Sequence, residues 1–87
     1  MVTHELKILP EYFKEIVLGK KKFEIRKNDR DFKKYDNVKL REFKDGIYTG
    51  NYVLARIDYV FNERTLGLEK GYCVFSISVY EYGNENK

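Results

Sequence analysis

Alternation of apolar and polar residues dominates the second half of the chain and limits what it can fold into. From Tyr52 to Phe61 one predicted face carries Val53, Ala55, Ile57, Tyr59 and Phe61. Residues 72–82 repeat the pattern, with Phe75, Ile77 and Val79 on the predicted inner face. A period of two puts successive side chains on opposite sides of a strand, so both stretches predict β-strands with one buried face.

One short stretch near the N-terminus has a helical period instead. Pro10 suits the first position of a helix, because its missing N–H would have no intrahelical partner there. Phe13, Ile16 and Val17 follow the i, i+3, i+4 spacing of one helical face, and Gly19 suits the left-handed position that ends a helix. We therefore predict one early helix over about residues 10–18.

Shorter alternating segments complete the predicted sheet. In KFEIR (22–26) we expect Phe23 and Ile25 to face the core, while the charged residues between them face away. Residues 38–41 predict a further strand, and Asp45-Gly46 predicts a hairpin turn after it.

One helix and about five strands, including a short one over residues 4–9, predict an α+β fold with a small curled β-barrel. The polar segment 62–71 predicts a loop. We expect a single domain over residues 1–82 and a disordered tail over residues 83–87.

Composition excludes several functional classes. The chain has 87 residues, of which 43% are hydrophobic, and it has a single cysteine, Cys73. One cysteine cannot form an internal disulfide, and the N-terminus lacks the layout of a signal peptide, so we expect a cytoplasmic protein without a membrane partner. His4 is the only histidine. The sequence therefore predicts no metal site and no cofactor.

Positive charge is concentrated in one segment. Residues 19–44 hold eleven of the seventeen basic residues and five of the fourteen acidic ones, a net charge of +6, whereas the rest of the chain is −3. Such a polarised domain attracts polyanions, although a lysine-rich surface can also serve solubility alone.

The densest part of that segment is GKKKFEIRKNDR, residues 19–30. The order of features around this stretch resembles the ASCH domain. A helix ends in glycine within a Gly-x-Lys motif, and an alternating strand that ends in Glu-x-Arg follows. ASCH (activating signal cointegrator homology) is a branch of the PUA-like superfamily. The likeness extends over about residues 4–80 and is greatest to small bacterial and phage ASCH-like proteins of unassigned function.

The resemblance implies a PUA-like β-barrel with a cleft beside the Gly-x-Lys and Glu-x-Arg strand, and most relatives are regarded as RNA-binding modules. Some small ASCH proteins are amidohydrolases that deacetylate acetylcytidine, and others are described as ribonucleases. The catalytic lysine of the amidohydrolases corresponds to Lys21, but their threonine is replaced by Glu24. Relatives usually have glycine at the position of Tyr35.

We expect Lys21, Glu24 and Arg26 to form a ligand pocket. The planar fork of Arg26 suits a phosphate or a base edge, and Glu24 can orient Arg26 or accept from a base amino group. Residues expected to contact phosphates are Lys20, Lys22, Lys27 and Arg30. Tyr48 is the aromatic residue we expect to stack on a base, although aromatics in strands more often serve packing. Strict alternation would place Lys22, not Lys21, beside Glu24.

The sequence thus predicts an RNA- or nucleotide-binding module with a basic cleft. The alternative is a small hydrolase of a modified pyrimidine nucleoside, or a ribonuclease, with Lys21 as nucleophile or general base and Glu24 as its partner. A third possibility is a basic face that meets an acidic protein. A plain surface ion-pair strip would explain Glu24 and Arg26 without any ligand.

Overall fold

A computed structural model describes residues 1–62 and 67–86. Its elements in chain order are β1 (Thr3–Ile8), α1 (Pro10–Val17), β2 (Phe23–Lys27), β3 (Asn37–Lys44), β4 (Ile47–Phe61) and β5 (Tyr72–Asn84). The predicted α+β class, with one early helix and five strands, is confirmed. Residues 63–66 of the predicted loop, and Lys87, lie outside the described residues.

All five strands belong to one sheet with the order β1-β3-β4-β5-β2. β1 pairs with β3 in parallel, and the other three pairings are antiparallel. The sheet curls until its two edge strands face each other across a gap, which the Arg26 side chain crosses to reach the backbone of Lys7. The predicted barrel is therefore a half-barrel, in which the edges β1 and β2 are joined by side chains.

The core fills the concave face of the curled sheet. Its residues are Leu6, Ile8, Phe13, Ile16, Phe32, Val38, Leu40, Val53, Ala55, Ile57, Cys73, Phe75 and Ile77. Helix α1 lies over this face and buries Phe13 and Ile16 of its predicted apolar side, whereas Val17, at the last residue of the helix, is 43% exposed. It ends where Gly19 takes a positive φ of 77° and donates its N–H to the Ile16 carbonyl.

The predicted orientation of β2 is wrong. Phe23 and Ile25 are 44% and 55% exposed, whereas Glu24 is 4% exposed. The cause is the pairing with β5, which sets Glu24 opposite the buried Phe75, so that both point to the concave face. A period of two defines two faces of a strand but does not say which one meets the core.

A bulge in β4 corrects a second expectation. The register with β5 shifts between Ile57 and Tyr59, so that Val60 packs against the core and Tyr59 is exposed. One extra residue reverses the faces beyond it, which an uninterrupted alternation cannot indicate. Tyr59 and Phe61 therefore do not continue the buried face of Val53.

The C-terminal end differs from the predicted tail. β5 continues to Asn84, so Gly83 and Asn84 are part of the sheet. Glu85 donates its backbone N–H to the Gly50 carbonyl, and the Asn86 side chain donates to the Thr49 carbonyl. These bonds tie the chain to β4 through Asn86.

A buried contact between His4 and Asp36 fixes the entry to β3. His4 Nε2 lies 2.9 Å from Asp36 Oδ2, and both residues are buried. Burial alone would raise the pKa of Asp36. The hydrogen bonds from His4 and from the backbone N–H groups of Val2 and Lys33 outweigh it and hold that pKa below its usual range. Just before Asp36, Tyr35 has a positive φ of 75°.

Within residues 1–62 and 67–86, no helix is long and apolar enough to cross a bilayer.

Candidate functional site

The gap between β1 and β2 opens into a recess of about 500 Å³, which we call the inner recess. Its polar lining includes Lys21, Glu24 and Arg26, and its apolar lining includes Leu9, Tyr12, Phe23 and Ile25. This volume falls in the usual range of small-molecule sites, which combine apolar walls with a few polar groups. The three residues predicted to form a pocket therefore do share one concave surface.

Glu24 links the two cations of the inner recess. Its Oε2 accepts a hydrogen bond from Arg26 Nε at 2.8 Å, and its Oε1 accepts one from Lys21 Nζ. The side chains of Lys21 and Arg26 are 18% and 25% exposed, so both retain access to the recess while the carboxylate is almost fully enclosed. Glu24 thus fixes the directions of an ammonium and a guanidinium.

The conformation of the chain at the end of α1 places Lys21, and not Lys22, beside Glu24. The backbone N–H groups of Lys20 and Lys21 both donate to the Glu15 carbonyl, at 2.9 and 3.1 Å, so the chain is not yet extended there. The Lys21 ammonium then lies 4.9 Å from the centre of the Phe23 ring, within reach of a cation–π interaction.

A second recess of about 470 Å³, the basic recess, adjoins the first and shares Lys7 and Arg26 with it. Its charged lining consists of the cations Lys7, Arg26, Arg30 and Arg41 and the carboxylate Glu5. Tyr48 also lines it. Four cations outnumber the single carboxylate of this lining, so their mutual repulsion favours the binding of a further anion.

Two arginines bind the open edge of β1. Arg26 Nη2 donates to the Lys7 carbonyl at 2.7 Å, and Arg30 Nη1 donates to the Glu5 carbonyl at 2.7 Å. These carbonyls belong to an edge strand, whose outward backbone groups have no neighbouring strand to pair with. The guanidiniums therefore close the half-barrel and are themselves held in place.

Aromatic rings hold the other two cations of the basic recess. The Arg41 guanidinium lies 3.8 Å from the centre of the Tyr48 ring, and the Lys7 ammonium lies 4.6 Å from that of Phe43. The two rings pack edge to face, 5.0 Å apart. Such stacking positions a cation without neutralising it.

Glu85 provides the negative charge at the outer end of this cluster. It accepts from Lys39 Nζ at 3.2 Å and from Arg41 Nε at 3.1 Å. The hydrogen bond from Lys39, with the charge of Arg41, holds the pKa of Glu85 below its usual range. The carboxylate is therefore ionised at neutral pH.

Residues 3–77 match the family model described as Domain of unknown function (DUF3850). The match extends over most of the chain. The chain belongs to the DUF3850 family. It is also similar to the "Uncharacterized 12.9 kDa protein in GpA 3'region" of Escherichia phage P2. That protein is 39% identical over a 75-residue alignment, which covers 74% of this chain and 69% of the phage protein. Membership of DUF3850 does not itself assign a fold family, so the ASCH resemblance remains a prediction.

In this DUF3850 domain the predicted site residues separate into two groups. Those that line the inner or the basic recess are Lys21, Glu24, Arg26, Arg30 and Tyr48. Lys20 and Lys27 are exposed and line neither recess, whereas Lys22 lines a different recess between α1 and β5, which Lys21 also borders. Of the three consecutive lysines, Lys21 is therefore the one that lines the inner recess.

Sequence reasoning missed Lys7, Arg41, Phe43 and Glu85. Lys7 and Arg41 meet because β1 and β3 pair in parallel with these two residues in register. Neither residue belongs to a motif in its own segment of the sequence. Only knowledge of the strand pairing would have identified them as site residues.

Cys73 lies in the core, away from both recesses. Burial raises the pKa of the Cys73 thiol and leaves it protonated and enclosed. Across the described parts of the chain, no group of three or more His, Cys, Asp and Glu side chains is arranged to hold a metal ion.

Proposed function

We propose that this DUF3850 domain is an RNA- or nucleotide-binding module of the PUA-like ASCH type, acting in the cytoplasm. The ligand lies across the gap between β1 and β2, with a base in the inner recess and phosphate in the basic recess. The observation that carries the proposal is the continuity of the two recesses through Arg26 and Lys7.

The inner recess has the surfaces that a base requires. Tyr12 and Phe23 offer aromatic contact area, and bases stack on such side chains with little sequence preference. The Arg26 guanidinium has N–H groups beyond those bonded to Glu24 and to the Lys7 carbonyl, and these can donate to the edge of a base. The Glu24 carboxylate also keeps Lys21 and Arg26 oriented when no ligand is present.

Ordering of the cations before binding favours affinity. A free lysine or arginine side chain loses roughly 1.5–2 kcal/mol of conformational entropy when it becomes fixed. Arg26 and Arg30 are already bonded to the backbone of β1, and Arg41 is already stacked on Tyr48. The ligand therefore meets side chains that have been positioned in advance.

Salt dependence of RNA binding tests this proposal. Fluorescence anisotropy with a labelled single-stranded RNA would give the slope of log Kd against log salt concentration. For single strands each phosphate contact contributes about 0.7 to that slope. The double variant Lys7→Gln/Arg30→Gln removes two charges from the basic recess, so we expect a shallower slope and weaker binding.

The matched control is the double variant Lys14→Gln/Lys33→Gln. It removes the same charge from exposed positions outside both recesses and should keep the wild-type slope. Equal losses in the two double variants would reduce the effect to net charge and refute a defined cleft. Absence of both RNA binding and nucleotide binding at low salt would refute the function itself.

One observation favours an enzymatic alternative. Lys21 Nζ contacts the Glu24 carboxylate inside a recess that can admit a nucleoside, as general acid–base chemistry would require. Release of acetate from acetylcytidine, compared between wild type and Lys21→Ala, tests this alternative directly. Turnover that Lys21→Ala abolishes and Lys14→Ala retains would establish it. No turnover at high protein concentration would eliminate deacetylation of acetylcytidine.

A further inference from the structure

The basic recess has an excess of positive charge that its own residues do not neutralise. The cations around the gap in the described chain are Lys7, Lys21, Arg26, Arg30, Lys39 and Arg41. The carboxylates that line the recesses or contact these cations are Glu5, Glu24 and Glu85. This cluster has a net charge of +3 in a domain whose total formal charge is also +3.

The cations approach the basic recess from four different segments. Lys7 is on β1, Arg26 on β2 and Arg41 on β3, while Arg30 is in the segment that follows β2. Donors that converge from several sides suit an acceptor group with several free oxygens. They suit an extended backbone less well, because that backbone must leave the site at both ends.

Two of these donors have a spacing that one phosphate can bridge. Arg26 is bonded to the Lys7 carbonyl and Arg30 to the Glu5 carbonyl, two residues apart on the same edge of β1. Carbonyls at this separation on a strand are about 6.6 Å apart. A phosphate group between the two guanidiniums can therefore accept hydrogen bonds from both.

We infer that the basic recess binds a phosphate monoester, so that the ligand is a nucleoside monophosphate or an RNA strand with a terminal phosphate. This inference rests on the proposed function and names its ligand class. A monoester carries a charge of about −1.5 to −2 at neutral pH and has three acceptor oxygens. A diester within a strand has one negative charge and two such oxygens, which leaves part of the cationic cluster unmatched.

The test compares RNA strands of one short sequence that differ only at their ends. One strand has a 5′-phosphate, one a 3′-phosphate, and one has hydroxyl groups at both ends. Calorimetric titration of the wild-type domain should show about ten-fold tighter binding, or more, for one phosphorylated strand than for the hydroxyl strand. Titration with the matching nucleoside monophosphate distinguishes a strand end from a free nucleotide.

Arg30→Gln should bring the affinities for phosphorylated and hydroxyl strands close together. Lys33→Gln, which removes an exposed charge elsewhere, should preserve the ratio. Equal affinity of the wild-type domain for all three strands would overturn this inference and leave RNA binding intact. Failure of every strand and nucleotide to bind would overturn both the inference and the proposed function.

Discussion

The replacement Glu24→Gln should destabilise the domain more than any other conservative change of a charged residue in the cleft. The carboxylate is 4% exposed and accepts hydrogen bonds from two cations. The amide of the variant can accept from one cation, but its NH₂ group then faces the other. Removing one member of a fully buried ion pair costs about 3–5 kcal/mol.

The expected loss is smaller than that range, because the partner side chains can turn towards water. Lys21 and Arg26 are 18% and 25% exposed, so we expect a loss of about 2–3 kcal/mol in the free energy of unfolding. For a domain of this size such a loss lowers Tm by roughly 10–20 °C. Thermal unfolding followed by circular dichroism, with urea titration at neutral pH, would measure it.

Glu85→Gln is the matched control for this experiment. Glu85 also accepts from two cations, but its side chain is 34% exposed, and solvent screens the interaction. Its Tm should remain close to that of the wild type. Equal decreases of Tm in the two variants, or no decrease in Glu24→Gln, would show that the carboxylate of β2 is not enclosed as described.

Three further predictions concern the fold around the cleft. Tyr35 has a positive φ, so Tyr35→Gly should be about 1 kcal/mol more stable than Tyr35→Ala in urea titrations; equal stabilities would argue against that backbone conformation. Phe23→Ala should cost under about 1 kcal/mol because Phe23 is 44% exposed, whereas Phe75→Ala should cost about 3–5 kcal/mol; comparable losses in the two variants would favour the predicted inward orientation of Phe23. The pKa of Asp36 is lowered in the fold, so its contribution is present above the unfolded pKa of about 3.9 and is lost as the pH falls. The urea midpoint of Asp36→Asn should therefore be lower at neutral pH and decline less in acid, and a decline parallel to that of the wild type would refute this linkage.

The helix and the number of strands could be predicted from local patterns. Pro10, Phe13 and Gly19 specify α1 through backbone rules that act within a few residues. Alternation over 72–82 specifies a strand in the same way. Because these features depend only on residues that are close together in the sequence, local patterns are enough to predict them.

The sidedness of β2 depends on a partner that is distant in the sequence. Phe23 and Ile25 are the apolar residues of the strand, yet its register with β5 directs them outwards. At the edge of a half-barrel, the concave side of the strand meets a recess instead of close packing. The Glu24 carboxylate is stable there because it is paired with two cations, and no pattern of neighbouring residues predicts that a carboxylate will face this side.

The composition of the site was predictable only in part. The motif indicated Lys21, Glu24 and Arg26, and the structure brings them together although the predicted anchoring of their strand is wrong. Lys7 and Arg41 enter the site through the parallel pairing of β1 and β3. A single sequence does not reveal such long-range pairing.

The central claim is that one cleft between β1 and β2 binds a nucleotide through both recesses. The most direct measurement is a titration of the ¹⁵N-labelled domain with a nucleoside monophosphate, followed by two-dimensional amide NMR. The account predicts shift changes concentrated at residues 5–8, 21–30 and 41–48, with smaller changes at Lys14 and Lys33. Changes centred on the outer face around Tyr59, or none at millimolar nucleotide, would contradict it.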